Sequence, residues 1–258
     1  MTGGAARARA IVGLGLSIAG IGIAKAGRPL DTDDAAMLPT GACQVETFVR
    51  RFRTADGVEA GDRTRDMGFA PSCNPFGWGE MLVGVGRSGI GGDASGTQAV
   101  LQFKRIPVQV TSDRPGFGYT VSLEQDYVRG LARPAARFSE INLVGSAPLF
   151  RSVQVDFNAG WIHAFPPTTR DREHLFAGLA AEWVVSPRIS LVAERTTIVT
   201  VGRTAQIGAT LAATPRLVFD VAVGRRDLPA NRAVYVTVGL TLASRSAAVS
   251  APTPPDAP

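Results

Sequence analysis

The feature that most constrains the fold of this 258-residue chain is an alternation of apolar and polar residues with a period of two. In one stretch, Val153, Val155 and Phe157 alternate with Gln154 and Asp156. Alternation of this kind places an apolar row on one face of a β-strand and a polar row on the other. Its recurrence along the chain predicts about twelve strands of about ten residues, the length that a tilted strand needs to cross a bilayer.

Two all-β folds fit this pattern: a transmembrane, antiparallel, up-and-down β-barrel of about 12 strands over residues 43–242, and a soluble β-sandwich. Short turns alternate with longer connections, as in outer-membrane barrels, and this favours the barrel. The longer loops are expected at about 53–65, 88–96, 129–136, 166–173, 195–203 and 225–232. Aromatic residues near strand ends would form two interfacial girdles. They are Trp78, Phe117, Tyr119, Tyr127, Trp161, Phe165, Phe176, Trp183 and Phe219.

Acidic residues recur near the middle of the polar rows, and this also favours a barrel with a wet lumen. The expected lumen and selectivity residues are Glu46, Glu80, Glu124, Glu140, Asp156, Glu182, Glu194 and Asp220. Few cations share these rows, mainly Arg50 and Lys104. An open lumen would therefore be a passive channel for small neutral or cationic solutes. The alternative is a non-conducting structural or interaction barrel whose side chains fill the lumen.

The ends of the chain predict export to the cell outer membrane. Residues 1–26 resemble a cleaved signal peptide that ends at Ala26, although an uncleaved anchor is an alternative. Residues 27–42 are expected to form a periplasmic N-terminal segment, and 243–258 a disordered tail rich in Pro, Ala and Ser. The only cysteines, Cys43 and Cys73, would form a disulfide in that oxidising compartment, unless they are two separate buried thiols.

Arginines near the expected outer loops could bind lipopolysaccharide phosphates; the alternative is a genome rich in G and C that uses arginine wherever a cation is needed. They include Arg63, Arg65, Arg170, Arg172, Arg225 and Arg226. We expect no enzyme, because His163 and His174 lack a nearby nucleophile motif, and no metal or cofactor, because no ligand spacing or nucleotide fingerprint is present. Of the 27 basic residues, Arg7, Arg9 and Lys25 lie in the leader, and the rest nearly balance the 22 acidic ones. This balance gives no basis for nucleic-acid binding.

The stretch 28–35 reads R-P-L-D-T-D-D-A, and 41–46 reads G-A-C-Q-V-E, followed by C-N-P at 73–75. These motifs resemble an outer-membrane β-barrel family of Gram-negative bacteria. That family is similar to the proteins associated with the meta-cleavage pathway of phenol degradation, which are classed as transporters. The resemblance implies membrane lipid, the barrel-assembly machinery and a small, aromatic solute as partners. The chain departs from such barrels at its C-terminus, where no terminal aromatic residue follows the last strand.

Overall fold

The computed structural model describes residues 31–54, 63–89, 95–128, 136–165, 173–229 and 232–244. Twelve strands form one closed barrel in which each pairs antiparallel with its sequence neighbours, and the first strand pairs with the last. The strands are β1 (Ala42–Thr54), β2 (Arg63–Asn74), β3 (Glu80–Gly89), β4 (Ser95–Val108), β5 (Gly116–Val128), β6 (Ala136–Phe150), β7 (Val153–Phe165), β8 (Glu173–Ser186), β9 (Ile189–Ile198), β10 (Gly202–Thr214), β11 (Leu217–Asp227) and β12 (Arg232–Ala243). The predicted up-and-down barrel is confirmed.

The outside of the barrel is a band of exposed apolar side chains. Val83, Leu123, Leu179 and Val238 are each more than half exposed, at 55–58%. A water-soluble protein rarely exposes so continuous an apolar surface, whereas hydrocarbon contact requires one. The opposite rows point inward and are mainly polar. The period of two therefore separates a lipid-facing surface from a polar lumen.

The strands extend further than the sequence predicts at two places. The expected loop 195–203 is wrong, because β9 and β10 are joined by a turn of residues 199–201 in which Thr200 has a φ of 71°. β-branched Thr196 and Thr197 continue the strand there. The expected loop 225–232 is also shorter than predicted, since β11 continues to Asp227. Phe176 is also not part of an outer girdle, because it lies on an inward row and is 8% exposed.

The predicted disulfide joins the first two strands. Cys43 and Cys73 are directly opposite in the β1–β2 register, with their Cα atoms 4.0 Å apart. Both lie on the outward row, next to the connection between β2 and β3. We call this end of the barrel the turn end, and the end where β1 passes to β2 the loop end. The bridge therefore fixes the β1–β2 hairpin at the turn end.

Among the described residues, no helix is long and apolar enough to cross a membrane.

Residues 31–38, which we call the inner segment, lie inside the barrel. The chain leaves β1 at Gly41, whose φ of 77° is readily adopted by glycine. The Gly41 N–H donates to the Asn74 carbonyl, and the Asn74 side chain donates to the Leu38 carbonyl at 2.6 Å. From there the inner segment runs along the lumen wall. Within the N-terminal segment expected at 27–42, residues 31–38 are therefore bonded to the wall through their backbone, and residues 27–30 lie outside the described part of the chain.

Candidate functional site in the barrel lumen

The inward rows bring together the acidic side chains that the sequence analysis assigns to the lumen. All eight lie on inward-facing positions of their strands, as the alternation of buried and exposed residues shows. Glu46, Glu80, Asp156 and Glu194 are buried, and the other four are partly buried. Their part in selectivity stays a prediction, but their placement gives the wall its acidic character.

Two wall residues hold the N-terminal part of the inner segment. The Glu194 carboxylate accepts hydrogen bonds from the backbone N–H of Asp31, at 2.9 Å, and of Thr32. The Arg50 guanidinium lies 3.3 Å from the Asp31 carboxylate. Arg50 is itself fixed, because its Nε donates to Thr237 Oγ1 at 3.0 Å and its guanidinium lies 4.9 Å from the centre of the Tyr235 ring. A buried cation from β1 thus pairs with an acid from the inner segment.

The middle of the inner segment is held by neutral polar groups. The Asn158 amide accepts from the Asp33 N–H at 2.8 Å and donates to the Asp33 carbonyl at 2.9 Å. The Ala35 N–H donates to Ser146 Oγ at 2.7 Å, and the Ala35 carbonyl accepts from the Val110 N–H at 3.0 Å. Backbone groups that would otherwise be unpaired inside the barrel are therefore satisfied by the wall.

A second wall cation pairs with an acid of the inner segment nearer its C-terminal end. Lys104 Nζ lies 3.1 Å from the Asp34 carboxylate, and the Leu38 N–H donates to Glu80 at 3.2 Å. The inner segment thus engages Lys104 and Arg50, the two inward cations that the sequence analysis noted. The lumen is narrowed by a chain segment that polar contacts hold in place, and the acids of the wall still outnumber the cations.

The wall also carries acids that the sequence analysis missed. Asp66 lies opposite Arg50 in the β1–β2 register, and Asp126 lies two residues beyond Glu124 on the same inward row. The Asp126 side chain is buried. Asp66 is two residues from Gly68 and Asp126 is two residues from Glu124, so in each strand the two side chains are expected on the same face, and this spacing could have identified both acids. The signal is weak, because β2 has little apolar alternation and Asp126 lies near a strand end.

The arginines assigned to the outer loops divide into three groups. Arg225 is exposed on the outward row of β11, and Arg65 is exposed on β2. Arg63 begins β2, while Arg170 and Arg172 lie outside the described residues. The assignment of Arg226 to an outer loop is wrong. This residue belongs to β11, and its guanidinium lies 4.8 Å from the centre of the inward-facing Phe52 ring. The alternation of β11 continues through Arg225 and turns Arg226 into the lumen.

Neither histidine is part of a catalytic arrangement among the described residues. His163 Nδ1 lies 2.5 Å from a Glu173 carboxylate oxygen, and its ring contacts Phe165. His174 is within hydrogen-bonding distance of the Thr200 hydroxyl at 3.2 Å. Over the described residues, no group of three or more His, Cys, Asp or Glu side chains could hold a metal ion.

The inner segment itself is the main feature that sequence reasoning missed. Residues 31–38 have no period of two and are rich in aspartate, a composition that is typical of a solvated linker. One signal was available: Arg50 and Lys104 are inward cations in an acidic lumen, where acids from outside the strands could pair with them. Nothing in the sequence alone shows that these partners are Asp31 and Asp34.

Comparison with solved structures shows the same kind of fold. The COG4313 outer membrane channel from Pseudomonas putida F1 is 14% identical, with a TM-score of 0.61 over 83% of this chain and 100% of that chain. The KdgM porin in complex with disordered oligogalacturonate is 12% identical, with a TM-score of 0.53 over 76% of this chain and 98% of that chain. The NanC porin is 5% identical, with a TM-score of 0.53 over 76% and 98% of the two chains.

No curated protein matches this chain in a sequence comparison. A family model described as "Uncharacterised conserved protein UCP029691" matches residues 17–244, which include every strand of the barrel and the inner segment. The chain therefore belongs to that family.

Proposed function

We propose that this chain is a narrow outer-membrane channel for small neutral or cationic solutes, with a lumen that the inner segment constricts. The observation that carries the proposal is the content of the lumen. An apolar interior would seal the barrel, whereas here the wall is mainly polar, and hydrogen bonds and ion pairs join it to residues 31–38 beside a few apolar contacts of Ala35, Met37 and Leu38. Solved structures with this fold include an outer membrane channel and two porins, and they support the assignment.

The wall charge favours cations over anions. Asp220 on β11 has no ion pair with any described residue, and Glu124, Asp126 and Glu140 lie together on β5 and β6. Cations on the wall are fewer, and Arg50 and Lys104 are already paired with the inner segment. The KdgM structure contains an oligogalacturonate, which is a polyanion, and an acidic wall would repel such a solute. An aromatic solute rests on the family resemblance alone.

Export and assembly complete the proposal. Cleavage after Ala26 would remove the signal peptide and leave Gly27 as the first residue, shortly before the inner segment. The barrel-assembly machinery would insert the barrel with its turn end, where β1 begins, facing the periplasm. The loop end would then lie outside the cell. Lipopolysaccharide would then surround the loop end of the barrel.

The test is conductance of the purified barrel in a planar lipid bilayer across a KCl gradient. We expect a reversal potential that indicates cation preference, and a smaller one in Asp220→Asn and Glu124→Gln. Glu173→Gln is the matched control, because Glu173 is an exposed acid on an outward row. Anion preference of the wild-type protein, or equal shifts in all three variants, would exclude this selectivity.

A non-conducting barrel is the second candidate, and the inner segment favours it because residues 31–38 occupy the lumen. A barrel that folds, shown by heat-modifiable migration, but conducts neither as wild type nor after release of the inner segment would support a structural or interaction role. Conductance that appears only after release would indicate a gated channel.

A further inference from the structure

Among the described residues, the exposed arginines near the loop end lie mainly on one side of the barrel. Outward-facing arginines occur on every strand from β9 through β12 and on to β3, across the closing pair β1–β12. On the opposite side, the described residues at the same level include the outward aromatic residues Tyr127, Trp161 and Phe165, together with the exposed Arg137 of β6.

Arginines on β1 and β2 face each other directly. In the register, Arg51 is paired with Arg65, and Arg53 is paired with Arg63. No carboxylate of the described residues lies within ion-pair distance of Arg51, Arg53 or Arg65, whereas Arg225 and Arg232 both contact Asp227. Like charges directly opposite on adjacent strands are destabilising. An anion bound between them would reverse the sign of this interaction.

A groove of about 1080 Å³ opens on the outer surface next to these arginines. It is lined by two adjacent rows of outward-facing residues, which run across neighbouring strands from β1 through β12 and on to β8. One row contains Arg53, Arg225 and Arg195 with Val234 and Ala205 between them, and the next is apolar from Val236 to Ala181. Ala181, Ala193 and Ala205 make the floor recessed, because larger side chains would fill it.

We propose that this outer face binds one phosphorylated lipid of the outer leaflet, with phosphate on Arg51, Arg53 and Arg65 and an acyl chain in the groove. Guanidinium groups bind phosphate oxygens in a bidentate manner, and three arginines on neighbouring strands offer several such contacts. The charges lie at the loop end and the apolar floor runs toward the bilayer centre, which is the polarity of a lipid.

The position and lining of the groove distinguish this ligand from others. A soluble anion would gain nothing from the apolar floor, and a second copy of the chain would bring the same arginines into contact around a two-fold axis. A phosphorylated glycolipid, the anchor of lipopolysaccharide, matches both the charge and the apolar surface. The site rests on the proposed outer-membrane placement, but it does not depend on conduction.

The experiment measures lipid binding to the full-length barrel in detergent by native mass spectrometry. The probes are bisphosphorylated lipid A, the same lipid after removal of its phosphates, and inorganic phosphate. We expect wild type to bind the phosphorylated lipid at least about tenfold more tightly than the phosphate-free form. Arg51→Gln/Arg53→Gln/Arg65→Gln should abolish this preference, and Arg137→Gln should retain it.

Ala193→Trp tests the groove separately. The indole would occupy the floor, so binding of lipid A should weaken by about tenfold. Heat-modifiable migration shows that each variant is folded, and conductance is recorded in parallel, so that loss of the channel and loss of the lipid site are distinguishable. Equal binding of both lipid forms, full competition by inorganic phosphate, a dimer that excludes lipid, or unchanged binding in the triple variant would each overturn the proposal.

Discussion

Glu194 is the residue whose removal should release the inner segment most directly. Its carboxylate accepts two backbone N–H groups, from Asp31 and Thr32. A hydrogen bond to a charged group contributes about 1.5–3 kcal/mol, and the lower value applies in a lumen that water enters. Glu194→Ala should therefore cost the seated inner segment about 3 kcal/mol, which is a change of about 100-fold in the ratio of released to seated segment.

A cysteine in place of Thr32 reports this ratio. Thr32 is 6% exposed, so a thiol there reacts with a membrane-impermeant maleimide only when the inner segment leaves the wall. The native cysteines do not interfere, because both are in the disulfide. We expect T32C to label about 100-fold faster when combined with Glu194→Ala.

Asp220→Ala is the matched control for this experiment. Asp220 is also an inward acid of the wall, but it has no hydrogen bond or ion pair to residues 31–38 among the described contacts. Its removal should leave the labelling rate of T32C unchanged. Equal labelling rates with and without Glu194 would refute the reasoning, because they would show that the carboxylate does not hold the inner segment.

Further predictions concern the disulfide and the space around the inner segment. Cys43→Ser/Cys73→Ser opens a link between residues 30 apart, so the free energy of unfolding should fall by about 3.5 kcal/mol, measured by urea titration with reduced wild type as the comparison. Gly178→Leu should displace the inner segment, because a Cβ atom at Gly178 would lie 2.7 Å from Thr32 Oγ1. This predicts faster labelling of T32C, whereas Gly84→Ala, where the nearest atoms are 3.5 Å away, should have no effect.

The barrel could be predicted from the sequence because its main determinant is local. Each strand displays its own lipid-facing and lumen-facing rows, so Val153 to Phe157 indicate their two faces without knowledge of any neighbour. The same reasoning placed all eight acids on the inward rows. It failed at Arg226 and Phe176, where a charged residue belonged to a strand and an aromatic residue faced inward, because loop and girdle assignments rest on residue type more than on parity.

The inner segment could not be predicted in this way, because its contacts are long-range. Asp31 meets Glu194 and Asp33 meets Asn158, and no local pattern links residues so far apart in the chain. The groove beside Arg51 and Arg53 was missed for a related reason. Its rows cross several strands, and they emerge only when the register of each pair is known.

The turn at Gly41 has a consequence for how the barrel is made. Only residues 39–41 separate the inner segment from β1, and β1 is one of the two strands that close the ring. A strand that closes the barrel is thus covalently joined, through a short connection, to the segment that occupies the lumen. Either the inner segment is already inside the lumen when β1 pairs with β12, or it must enter the lumen later, past Asn74. A bulky tag fused on its N-terminal side would therefore hinder maturation of the barrel.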